Sequence, residues 1–258
     1  MAAISRLSPR LGARLAWYLW VHPHGRKNAR FPDDANVFEV GVYGHELSGY
    51  TLGDGEPVLL IHGWGGVSTD MVPLAVAVAE GGYLAVVPDL PGHGSDRKKY
   101  TDGFRMAATV HAVSQRFGVP RAVVAHSFGA VVTFAAFPYG GPDRVVLVAP
   151  AVLGMRYIDV FGRTLRMSRK ATEIFTKRAV AFAGPKFMDI FRGNGDVLGA
   201  DMMILHDPED ERTPFVDSVE YVERRPATKL IEVPETGHKG ILRSGVTLAA
   251  TVAFLKGS

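Results

Sequence analysis

The 258-residue sequence has no cysteine. That excludes disulfides, thiolate metal centres and a cysteine nucleophile. It also suits a reducing compartment, so a cytoplasmic protein is the expectation. Acidic residues are missing before Asp33, although Arg6, Arg10, Arg14, Arg26, Lys27 and Arg30 all fall in that stretch. Long hydrophobic runs are missing too. The strongest candidate, Leu11 to Val21, is interrupted by Arg14 and is far too short to span a bilayer. No small-x-small cleavage pattern follows it, so no secretory signal is expected. Neither an internal repeat nor a low-complexity tract is present, and the length suits one sizeable α/β domain with an insertion. The net charge of +3 is too small to call for a nucleic-acid partner.

What is present begins with that N-terminal stretch. Residues 1–35 form a basic, aromatic extension, expected to be helical and laid across the domain with its aromatic face buried. The other reading is weak contact with an anionic membrane surface. Val37 to Tyr43 and Leu47 to Leu52 then alternate around Gly44-His45, as a pair of antiparallel strands would.

Continuous apolar runs follow at Val58–Ile61, Tyr83–Val87, Arg121–Ala125, Val145–Ala149, Met202–Leu205 and Lys229–Val233. Such runs suit parallel strands covered on both faces. Helices are expected near Asp70–Glu80, Asp102–Phe117, Phe128–Phe137, Phe215–Glu223 and Ser244–Leu255. The alternation predicts an α/β fold with a mostly parallel, doubly wound sheet of about eight strands. Ligands of such sheets sit at the carboxyl ends of the strands.

Residues 151–200 break the rhythm. They hold no clear strand but carry Met155, Ile158, Phe161, Phe175, Phe182 and Phe187 at helical spacings, which reads as a helical cap inserted between two core segments, 36–150 and 201–258. The cap has nine Lys and Arg against four Asp and Glu. Such runs are usually solvated faces, with steering of an anionic substrate as the alternative.

Three segments carry candidate chemistry. In Val123-Val124-Ala125-His126-Ser127-Phe128-Gly129-Ala130 an apolar run climbs into a serine, and small residues leave it. That is a strand, a sharp turn and a closely packed helix, with the serine hydroxyl pushed out of the fold. A serine needs a hydrogen-bonded general base to act as a nucleophile, and histidine is suited to the task. His238 lies on a glycine-flanked loop between the last strand and the last helix. Between them, His206-Asp207-Pro208-Glu209-Asp210-Glu211-Arg212-Thr213-Pro214 offers four carboxylates, among which residue type alone does not choose.

The arrangement resembles the α/β-hydrolase superfamily. Ala125-His126-Ser127-Phe128-Gly129 is similar to its G-x-S-x-G nucleophile elbow, with Ala125 in place of the first glycine and so the first place to look for strain. The resemblance implies the order Ser127, Asp210, His238 for nucleophile, acid and base. The match of residues 206–214 to H-G-x-x-D-x-x-[VT]-P selects Asp210, with Asp207 the runner-up.

His62-Gly63-Trp64-Gly65-Gly66 resembles the family's H-G loop, which implies an oxyanion hole made by the Trp64 and Phe128 amides, with the Trp64 ring also walling the substrate pocket. Asp89-Leu90-Pro91-Gly92-His93-Gly94-Ser95 resembles its D-x-x-G-x-G loop, in which Asp89 and the glycines shape a turn. His62 and His126 flank the site and orient loops. The implied activity is that of a cofactor-free, metal-free serine hydrolase, a carboxylesterase acting on a small-molecule ester with an apolar acyl part. Thioester or diketone-type carbon–carbon hydrolysis, and a non-catalytic binding protein on the same fold, are the alternatives.

Overall fold

The structure is a computed structural model and describes residues 1–257 except 24–29, 95 and 97. Arg26, Lys27 and Ser95 lie outside the described residues. Eight strands form one sheet: β1 (Asn36–Val42), β2 (His45–Leu52), β3 (Pro57–Ile61), β4 (Leu84–Pro88), β5 (Ala122–His126), β6 (Arg144–Val148), β7 (Asp201–His206) and β8 (Lys229–Glu232). Their order across the sheet is β1-β2-β4-β3-β5-β6-β7-β8. The first two pairings, β1 with β2 and β2 with β4, are antiparallel, and every later neighbour is parallel. The expected runs match these strands to within about two residues, the ordinary uncertainty of element ends.

The fully buried strands need apolar side chains on both faces, because successive residues point to opposite sides. Leu59, Ile61, Val123, Ala125, Val145, Leu147 and Ile204 face one core, completed by α4 (Gly103–Phe117), α5 (Gly129–Ala136) and α8 (Phe215–Arg224). Val58, Leu60, Val124, Val146, Val148 and Leu205 face the other, completed by α3 (Val72–Glu80) and α10 (Gly245–Lys256). This two-sided burial explains why the runs are continuous rather than alternating. One difference concerns His238. It sits on a short helical turn, α9 (Gly237–Gly240), rather than on an open loop.

Between β6 and β7 come α6 (Gly154–Thr164), α7 (Arg169–Asp189) and a π-type turn at Ile190–Asn194. The long helix breaks at Gly184, whose φ of 70° leaves the helical region just before Pro185.

The N-terminal stretch forms two helices, α1 (Ala2–Leu7) and α2 (Pro9–Val21). Ser8 separates them, accepting the Leu11 amide as an N-cap with Pro9 in the first turn. Trp17 meets Phe182 edge-on at 4.9 Å, and Ser168 donates to the Ser5 carbonyl at 2.7 Å. The N-terminal helices therefore pack on α7. Trp17 and Trp20 turn inward while Tyr18 turns out.

Candidate active site

Ser127 follows β5 directly and is held at φ 55°. A non-glycine residue there is strained by roughly 1–2 kcal/mol. Neighbouring strands fix the turn: the Ser127 amide donates to Val148 O at 3.0 Å, and Ser127 O accepts from Ala130 and Ala151. Ala125 is not among the positive-φ positions. The expectation of strain at Ala125 is therefore corrected: its methyl sits in the core from an ordinary strand, and the strain falls two residues later, where the chain reverses.

Close approach explains two of the glycines. A Cβ on Gly63 would lie 2.8 Å from Ser127 Cβ, and one on Gly129 would lie 2.7 Å from Ile61 O. The loop after β3 thus passes against the Ser127 side chain, and α5 presses onto β3.

His238 brings Nε2 to 3.0 Å from Ser127 Oγ and Nδ1 to 2.7 Å from Asp210 Oδ2. With Nδ1 donating to the carboxylate, Nε2 is left to accept the serine proton. Asp210 is buried after β7, and its Oδ1 accepts the Arg212 and Thr213 amides at 2.7 and 3.1 Å. Burial alone would raise its pKa. Hydrogen bonds from His206 and His238, together with the His238 charge, overcome that and hold the carboxyl well below the usual carboxylate range.

Asp207 lies elsewhere. Its Oδ2 accepts the amides of Thr236 and Gly237, at 2.7 and 2.5 Å, and its Oδ1 accepts the Glu209 amide at 2.9 Å. It anchors the turn that carries His238 and makes no bond to the imidazole.

Two contributors escaped the sequence reading. Thr213 Oγ1 lies 3.0 Å from Asp210 Oδ2, 3.2 Å from His238 Nδ1 and 3.1 Å from Ala149 O. The only signal for it was its place before Pro214. Trp20 stacks on Trp64 at 5.9 Å from the far end of the chain, with no signal that it belongs here.

The Trp64 and Phe128 amides donate to no other backbone carbonyl among the described residues. The Gly65 amide is instead taken by His93 Nε2 at 3.0 Å, and Leu90 N by His62 Nε2 at 3.0 Å. Burial, then the neighbouring His62, pushes His93 down to about 3, which keeps it a neutral acceptor. Asp89 Oδ1 accepts the Ser68 amide at 2.7 Å, joining the loops after β3 and β4.

Trp20, Trp64, Phe128, Phe182, Phe187 and Phe191 line a narrow apolar cavity with a free volume of about 30 Å³. Burial raises the nearby Tyr157 phenol to about 12, so it stays protonated against Trp20 and Phe128. On its outer side His238 faces a polar groove of about 430 Å³ lined by Asp207, Glu209, Glu211, Arg212 and Glu235. Among the described residues, no group of three or more His, Asp or Glu could hold a metal ion.

A serine, a histidine and an aspartate in hydrogen-bonded line at the carboxyl ends of β5, β7 and β8 define an α/β protein built on a nucleophile elbow. The chain belongs to the alpha/beta hydrolase family, whose model matches residues 58–251. Comparison with the curated proteins finds no match.

Solved structures with the same fold include an esterase from Pyrococcus furiosus, at 17% identity and a TM-score of 0.69 over 92% of this chain and 97% of that one. A bacterial membrane phospholipase A is similar at 19% identity and a TM-score of 0.61, over 99% and 90%. A meta-cleavage product hydrolase is similar at 16% and 0.60, over 86% and 98%. At these identities the likeness is one of fold.

Proposed function

We propose that the protein is a serine hydrolase that cleaves carboxylic esters with an apolar acyl part. The observation that carries this reading is the continuous line from Ser127 Oγ through His238 to Asp210, at 3.0 and 2.7 Å. His238 Nε2 takes the Ser127 proton as Oγ attacks the ester carbonyl. The Trp64 and Phe128 amides hold the oxyanion. Collapse expels the alcohol, which leaves with the proton from His238. Water, activated by the same imidazole, then releases the acid from the acyl-enzyme. Asp210 keeps the imidazole in the tautomer that this requires.

Residues 151–200 act as a cap over the strand ends, and the aromatic lining, with the Trp64 ring in it, favours an apolar acyl group. No cofactor has a place in this scheme. A second reading, a thioester or a diketone-type acid cleaved at carbon, is favoured by the surplus of nine cations over four carboxylates in the cap, which suits an anionic substrate.

An alkyl phosphonate probe is expected to label the wild type and to fail on Ser127→Ala. Equal labelling of both would overturn the mechanism. Hydrolysis rates across an ester panel graded by acyl length and charge, thioesters included, separate the substrate readings, and absence of any turnover would favour a binding protein.

A further inference from the structure

We propose that the outer face of α1 and α2 docks the protein on an anionic lipid surface. The inner side of α2 is accounted for by the fold. Gly12, Ala13 and Ala16 are buried, and Trp17 and Trp20 pack on Phe182, Phe161 and Phe175 of the cap helices. At 3.6 residues per turn, the exposed positions Arg10, Leu11, Arg14 and Tyr18 fall within an arc of about 100° on the opposite side.

Leu7 of α1 is 89% exposed; Leu11 and Tyr18 are 48% and 55% exposed. Large apolar side chains are thus interleaved with guanidinium groups and left exposed by the described residues. That is the composition of an interfacial helix, where apolar side chains enter the acyl boundary and cations meet lipid phosphates.

Charge complementarity selects the occupant. The first acidic residue of the chain is Asp33, so no carboxylate lies on either helix. On α7, Arg178 stacks over the Trp17 ring at 4.4 Å and adds a further cation beside them. Glu173 is the one acidic side chain of α7 before its break and lies 3.8 Å from Arg169. An anionic bilayer offers both the apolar layer and the negative charge that this surface matches.

The inner side of α2, away from this face, adjoins the cavity. Phe182, against Trp17, is shared between the narrow cavity and an open groove of about 330 Å³ lined by Tyr43, Asp102, Phe104 and Arg105. Tyr43 and Phe104 are themselves 73% and 50% exposed. The docking does not depend on Ser127 chemistry.

The test is flotation of the full chain with vesicles of phosphatidylglycerol and phosphatidylcholine in equal parts, against vesicles of phosphatidylcholine alone. Binding to the mixed vesicles, released by salt and retained in Ser127→Ala, is expected. Arg10→Glu with Arg14→Glu should weaken it about twentyfold or more, and Leu7→Ser with Leu11→Ser about tenfold, with melting curves by circular dichroism matching the wild type. Equal binding to both vesicles, no binding to either, or loss-free binding by the variants overturns the proposal. So does a concentration-dependent dimer by light scattering that the Leu variants abolish, which would make a second copy the occupant. Salt release is read on the wild type alone, so variants that misfold leave the proposal open to refutation.

Discussion

His126 Nε2 donates to the backbone carbonyl of His238 at 2.9 Å, with the two rings 4.8 Å apart. The residue before the proposed nucleophile, Ser127, thus grips the main chain of the residue proposed as its base, and the two are set by one contact. Burial, then the neighbouring His238, lowers the His126 pKa to about 3, so the donor is neutral throughout the working range.

His126→Leu removes that grip without adding charge. A lost hydrogen bond of about 1 kcal/mol corresponds to a fall in kcat of roughly five- to tenfold. KM and the shape of the pH profile should stay unchanged, since His126 does not titrate there. His126→Gln, which keeps a donor, should recover most of the rate. Steady-state kinetics on one ester decide it, and an unaltered kcat in the leucine variant would make the contact incidental.

The two aspartates after β7 should separate cleanly. Asp210→Asn leaves the imidazole in the wrong tautomer and is expected to lower kcat by about three to four orders of magnitude. Asp207→Asn keeps the imidazole's partner but weakens bonds to three backbone amides, costing about 2 kcal/mol and lowering Tm by roughly 5 °C at this chain length. A larger rate loss in Asp207→Asn would reverse the assignment.

These carboxylates also set an acid limit. Burial opposes ionisation of both, but hydrogen bonds hold both pKa values below the usual range: from backbone Glu209, Gly237 and Thr236 for Asp207, and from His206 and His238 for Asp210. A folded pKa below the unfolded value of about 3.9 gives stability that is fully present above that pH and is lost as the pH falls through the folded pKa. Melting temperature should fall as the pH drops below about 6.5, where the buried His62, His93 and His126 stay neutral in the fold but protonate in the unfolded chain. It should fall further below about pH 4 as these carboxylates protonate, with that lower limb shallower in Asp207→Asn.

Gly63→Ala tests the crossing under Ser127. Its methyl would lie 2.8 Å from Ser127 Cβ and 3.2 Å from His126 O, so the loop or the elbow must shift. A displacement of that kind costs about a hundredfold in rate. Because the same loop carries the Trp64 amide, the loss should appear in kcat, while the fold, read by circular dichroism, persists. Wild-type kinetics in this variant would show that the loop is free to move.

Much of the fold was legible because burial on both faces leaves a local mark. The strands from β3 to β7 read as continuous apolar runs, and the helices between them as periodic segments. The order of serine, aspartate and histidine was legible for a related reason, since each follows a strand that ends at the same edge of the sheet. Ala125 was misread. Small size at that position fits a core methyl as well as a strained turn, and only backbone angles tell them apart.

The sequence by itself determined the alternation of strands and helices and the three segments that meet at the site, because periodicity and motif order are properties of consecutive residues. The motif match selects Asp210, and the fold sets it against His238. Tertiary structure alone decided that Asp207 anchors the Thr236–Gly237 turn, that Thr213 bridges Asp210 and the imidazole, and that Trp20 reaches Trp64 from the other end of the chain. Those are distances between residues far apart in sequence or crowded into one loop. They follow from where packing sends each side chain, which composition and spacing do not encode.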